Sequence, residues 1–184
     1  MSREIKSAVL GTLKQDTQLS DWWKSEAVEI PYFNNQKLAI TFIDFEPDED
    51  KAFVTEADQA LAHFLQLTLD DRNAISSHVL KNCLEFLDAV EMDEQDDYLR
   101  EIVDENEIWN FVEPSEIFIS RRNRRDRDIY VQIDCNCEWE QEHGLQLVFR
   151  QGKKLTRISG IDGHLTESDA YDKSDEQDEL LSKF

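Results

Sequence analysis

The chain has 184 residues, a length that predicts one domain able to bury a core without disulfides or metal. Apolar residues make up 40% of it and aromatics 10%, which excludes a wholly disordered chain. The formal net charge is −21, from 41 acids against 20 bases, and a field of that sign repels nucleic-acid phosphates and anionic membranes.

Taken in chain order, Ile5, Val9 and Leu13 recur at helical spacing and predict a short amphipathic helix over residues 1–14. Lys6 and Lys14 interrupt that stretch, so it does not read as a secretory signal. After Asp21-Trp22-Trp23, residues 26–33 and 37–45 read as a strand pair joined by Asn34-Asn35-Gln36. Asn tolerates the positive φ that a hairpin turn needs. Residues 37–45 are apolar on both faces, which predicts an interior strand. An acidic loop, 46–51, follows. Thr55 and Asp58 resemble a capping box for a helix with Ala57, Ala60, Leu61, Phe64 and Leu65 on one face.

Asp70 is the predicted N-cap of the next helix, which repeats Ile75, Val79, Cys83, Phe86, Leu87 and Val90 at a period close to 3.6. A third helical stretch is expected over 95–104, with Tyr98, Leu99, Ile102 and Val103 apolar. From residue 108 the composition turns to β: strands are predicted at 108–112, 116–120, 129–137, 145–150 and 155–159, with a hairpin turn at Gln151-Gly152-Lys153. Residues 166–184 are acidic and aperiodic, and a mobile tail is expected beyond a single domain of residues 1–165. Segregated helices and strands predict an α+β fold: a largely antiparallel sheet, built from an N-terminal hairpin and a C-terminal meander, with helices packed on one face. No apolar run approaches 18 residues, so no transmembrane helix is expected.

Charge is unevenly distributed. Residues 1–120 hold nine bases and 27 acids, residues 121–157 nine bases and six acids, and residues 158–184 two bases and eight acids. The basic island centres on Arg121, Arg122, Arg124, Arg125 and Arg127. Guanidinium forks suit phosphate or carboxylate, so these five are the candidate anion-binding residues. The plainer reading is a solvated loop paired with the protein's own acids.

The chemistry-bearing side chains are sparse. Cys135 and Cys137 alternate on a predicted strand, so both thiols face one side. A second ligand pair of the zinc type does not follow, and the expectation is a buried strand face with no metal. Three cysteines are an odd, small number, which predicts a reducing, cytoplasmic compartment. His143 beside Glu140 and Glu142, together with His164, forms the candidate catalytic set for general acid–base work. Gly144 and Asp162-Gly163 next to these histidines are also turn signals, which accounts for them without catalysis. No phosphate-binding glycine loop and no nucleophile elbow occurs, and no cofactor is expected.

The segment Cys137, Trp139, Glu140, Glu142, His143, Gly144, Leu145 and the ending Asp162 to Thr166 resemble an uncharacterised family of bacterial proteins, a domain of unknown function. The resemblance covers about residues 105–172 well and the N-terminal part loosely. It implies a bacterial, cytoplasmic origin and an association with toxin–immunity genes, and it carries no activity or catalytic residue.

Two functional expectations follow. The first is a non-catalytic acidic interaction protein, immunity-like or regulatory, whose partner is a basic protein rather than nucleic acid or membrane. The alternative is a small-ligand-binding protein or hydrolase centred on His143, Glu140, Glu142 and His164. The oligomeric state is left open.

Overall fold

The structure, a computed structural model, describes residues 3–90 and 97–182. It opens on a β-hairpin, β1 (Glu4–Ser7) and β2 (Gly11–Gln15), where the apolar spacing predicts a helix. The reason lies in the register. Ile5 pairs directly with Leu13 across the hairpin, so both share a face, while Val9 sits in the turn and is exposed. A four-residue repeat centred on a turn satisfies a strand pair as well as a helix. Gly11 adopts a positive φ of 78° there.

Strand β3 (Trp23–Lys24) adds to β2. A separate antiparallel ribbon follows, β4 (Val28–Ile30) and β5 (Gln36–Leu38), linked by a 3₁₀ turn at Pro31–Phe33. Asn34 and Asn35 take the positive φ expected of them, 53° and 61°. Strand β6 (Ile40–Phe42) is buried throughout and lies between β3 and β7 (Val112–Arg121). Its pairing with β7 is parallel, Ile40 opposite Ile117 and Phe42 opposite Ile119. The meander is completed by β8 (Ile129–Cys137), β9 (Leu145–Arg150) and β10 (Lys154–Ser159). The architecture is α+β, with one mixed eight-stranded sheet in the order β1-β2-β3-β6-β7-β8-β9-β10, antiparallel except at β6–β7. The sheet is thus largely antiparallel, as its patterning predicts, with the single parallel pair joining the N-terminal strands to the meander.

The chain between β6 and β7 carries the larger helices. Helix α1 (Phe53–Phe64) starts two residues before the predicted cap, and Thr55 lies inside it. Asp58 does not cap: its carboxylate accepts from the Ser7 hydroxyl and, at 2.7 Å, from the Ala8 amide, which pins the β1–β2 turn. The predicted long second helix is two pieces, α2 (Leu69–Asn73) and α3 (Ser76–Ala89). Thr68, not Asp70, opens α2, with its amide and hydroxyl donating to the Asp71 carboxylate at 2.8 and 3.0 Å. The predicted third helix begins outside the described residues; its described part includes α4 (Asp97–Arg100). The predicted strand at 108–112 is instead mostly a 3₁₀ segment, Glu105–Phe111. Asp104 caps it by accepting from the Asn106 amide, and the Trp109 indole donates to Ser76 Oγ at 2.8 Å.

Ile117 and Ile119 of β7, Val131, Ile133 and Cys135 of β8, and Leu147 and Phe149 of β9 enter the main hydrophobic core. The rings of Tyr32, Phe64 and Phe149 meet there, with centroids 5.6–6.0 Å apart. Burial of these aromatics supplies much of the driving force for folding. The alternate residues Phe118, Ser120, Gln132, Asp134 and Gln146 belong to the sheet's other face.

Residues 162–182, acidic and partly predicted to be a free tail, lie against that other face. Gln146 donates to Asp162 at 3.0 Å and to the His164 carbonyl at 2.9 Å, and Thr156 donates to the Leu165 carbonyl at 2.9 Å. Two short helices, α5 (Glu167–Ala170) and α6 (Glu179–Ser182), follow. Asp178 is fully buried and accepts from the amides of Ser168 and Leu181 at 2.9 and 3.0 Å. No helix among the described residues is long and apolar enough to cross a membrane.

Candidate functional site

The arginine loop joins β7 to β8, and Arg125 and Arg127 hold positive φ values of 66° and 60° within it. Arg122 points inward and is 2% exposed. Its guanidinium meets Asp126 at 2.7 Å, Asp169 at 2.8 Å and Asp175 at 2.8 Å, and donates to Thr166 and Ser168 hydroxyls at 3.2 and 3.1 Å. Burial alone would lower its pKa, but the hydrogen-bonded carboxylates of Asp169, Asp175 and Asp126 outweigh burial and raise it. The same contacts hold Asp175 and Asp169 below the usual carboxylate range, against the upward push of burial. Arg121 pairs with Asp50 and Glu56, both at 2.6 Å, and Arg125 with Asp175. Arg124 and Arg127 make no ion pair with the described residues. Three of the five candidate anion ligands therefore already hold carboxylates of their own chain.

The candidate catalytic residues fall in two turns, each organised by its own carboxylate. Glu140 accepts from the amides of Glu142 and His143 at 3.1 and 3.2 Å, so it organises its own turn, and His143 Nδ1 lies 3.5 Å from it. Asp162 does the same for His164, accepting from its amide at 3.0 Å with Nδ1 at 3.4 Å. The two histidines are 60% and 46% exposed. His164 lines a cleft on the second face of the sheet, whereas His143 and Glu142 line neither of the two cavities described below. Among the described residues no cluster of three or more His, Cys, Asp or Glu side chains is placed to hold a metal ion.

All three cysteines are buried as free thiols. Burial pushes the Cys137 thiol up to about 11 and holds the Cys135 thiol well above the usual thiol range. Thiolate is the reactive form. Native protein near neutral pH is therefore expected to react with a maleimide far more slowly than denatured protein, as mass spectrometry of quenched time points would show. Rapid native labelling at Cys135 or Cys137 would contradict the buried strand face.

Two cavities accompany the arginine loop. The smaller, of about 480 Å³, runs between α1 and the loop, past His63, Arg121, Arg127 and Gln151. The larger, of about 660 Å³, opens on the second face of β7 and β8. Phe118, Ser120, Gln132 and Asp134 line it, with Trp22, His164 and Arg124 also at its walls. Trp22 and Phe118 meet edge to face at 5.5 Å. Burial raises the pKa of Asp134, the hydrogen bond from Gln132 lowers it, and Glu116 opposite raises it again, for a net upward shift. Trp22, Phe118, Gln132 and Asp134 belong to no motif that sequence reasoning singles out. The alternation Tyr130, Gln132, Asp134, Asn136 along β8 is the one trace of them, marking a polar face.

Fold and cleft together define an acidic α+β protein whose mixed sheet carries a core on one face and a partly covered polar surface on the other. The chain belongs to a family described as a domain of unknown function (DUF6985), whose model matches residues 9–165. No curated protein and no solved structure matches it. Asp169 and Asp175, two of the three carboxylates on Arg122, lie beyond the matched residues.

Proposed function

We propose that this protein is a non-catalytic, cytoplasmic interaction protein, immunity-like or regulatory, that binds a basic protein partner through its acidic surface. One observation carries the reading: the basic island is largely neutralised from within. Arg121, Arg122 and Arg125 are paired with Asp50, Glu56, Asp126, Asp169 and Asp175, so the chain's main concentration of positive charge offers little to an anionic partner. With a formal charge of −21, the remaining surface favours a cationic one. Glu140 and Asp162, the carboxylates beside His143 and His164, are each engaged by backbone amides of their own turns, which accounts for both pairs without catalysis.

The test is capture by the tagged chain from a lysate of its own host at low and at high salt. A stoichiometric basic protein retained at low salt and lost at high salt is the expected result, because exposed charge pairs are screened. The variant His143→Ala should retain the partner unchanged. An empty capture, or loss of the partner on His143→Ala alone, would sink the proposal.

A further inference from the structure

The larger cleft carries an inference independent of the protein-partner reading. Its volume of about 660 Å³ falls in the range of small-molecule sites. Its floor holds two polar side chains more than nine-tenths buried, Ser120 at 6% exposure and Gln132 at 7%. The Gln132 amide nitrogen donates to Asp134 at 2.8 Å, but its carbonyl oxygen and the Ser120 hydroxyl have no partner among the described residues. Neither of these two atoms is among the fully buried side-chain atoms left without a partner, so both open onto the cleft and are available to a ligand there. Asp134 is half-buried and has no cation partner among the described residues; the charged residue opposite it, Glu116, is another carboxylate.

The unused groups define the chemistry. Gln132 Oε1 and the Asp134 carboxylate accept hydrogen bonds and cannot donate in those forms, so the ligand supplies donors, N–H or O–H. A carboxylate without a cation, beside the rings of Trp22 and Phe118, suits a positive charge on an apolar body. The guanidiniums near the cleft do not cancel this preference, since Arg121, Arg122 and Arg125 are held by their own carboxylates, which leaves Arg124 at the wall. We infer that the cleft binds a small organic cation, a primary amine with an aromatic or aliphatic body, whose ammonium donates to Asp134 and Gln132 while its body lies against Trp22 and Phe118.

Calorimetric titration of the purified chain with three matched probes tests this: phenethylamine, the neutral 2-phenylethanol and the anionic 3-phenylpropionate. Phenethylamine is expected to bind and the other two not to bind detectably. Asp134→Asn should weaken phenethylamine by at least about tenfold, the scale of one charge-assisted contact. Trp22→Leu, a change at the half-buried wall, should weaken it through the body and serves if Asp134→Asn misfolds. Preference for the neutral or anionic probe, indifference to both variants in folded protein, or no binding by phenethylamine overturns the inference. Partner capture does not enter these outcomes, so the two proposals fail separately.

Discussion

Replacing Arg122 by Met should destabilise the protein by about 3–5 kcal/mol in urea unfolding, the usual consequence of removing one member of a buried ionic cluster. The side chain is 2% exposed and sits among Asp126, Asp169 and Asp175. Without it, three carboxylates crowd together with no compensating charge of equal burial between them. Two of the three belong to residues 166–182, so that segment should lose its docking first, seen as faster hydrogen exchange there than in β8 and β9. Combining Arg122→Met with Asp169→Asn and Asp175→Asn should recover part of the loss, because the double-sided change removes the repulsion that the single change creates. A single variant as stable as the parent would show that the cluster is dispensable.

The same cluster sets an acid dependence. Asp169 and Asp175 have folded pKa values depressed by Arg122, so their contribution is complete above the unfolded carboxylate pKa, about 3.9, and is lost as pH falls through the lower folded values. Residues 166–182 should therefore stay docked through mildly acidic pH and release only in stronger acid. Exchange measured along an acid titration checks the direction: release already at mildly acidic pH would contradict it.

The second large effect is expected at Gly152. It holds φ at +68° in the β9–β10 turn, and a Cβ there would stand 2.0 Å from the Ala60 carbonyl oxygen and 3.0 Å from the Phe64 amide nitrogen of α1. Gly152→Ala combines left-handed strain with a backbone clash that no side-chain rotation relieves, and about 3–5 kcal/mol of destabilisation is expected. Gly11→Ala is the internal control. Gly11 has φ +78° with nothing within 4 Å of the added carbon, so it should lose only about 1–2 kcal/mol of backbone strain. Equal melting temperatures for the two variants would show that the turn is not pressed against the helix.

Gly152 also illustrates how much could be read in advance. Its turn chemistry and the strands at 129–137 and 145–150 are visible in the sequence because hairpin turns and two-residue alternation are local signals. The β1–β2 hairpin misleads because Ile5 and Leu13 are spaced as well for a helix as for facing positions of a tight hairpin. Asp58 and Thr68 show a second kind of ambiguity. Both are suitable caps by type, but Asp58 is claimed by the Ser7–Ala8 turn 50 residues away, while Thr68 finds Asp71 locally. The strand expected at 108–112 is overridden by the Trp109 indole reaching Ser76 at the start of α3.

Composition and short-range patterning were enough for the α+β class, the strand that becomes β8 with Cys135 and Cys137 on one side, the net acidity and the cluster of five arginines, since each depends on residue counts or on neighbours within a few positions. The parallel β6–β7 pair, the enclosure of Arg122 by carboxylates 47 and 53 residues away, and the cleft where Trp22, Phe118 and Asp134 meet emerged only on folding. These depend on which distant segments lie side by side. An arginine run has the same letters whether its charges face solvent or face acids brought back by the chain, and only the path of the backbone separates the two.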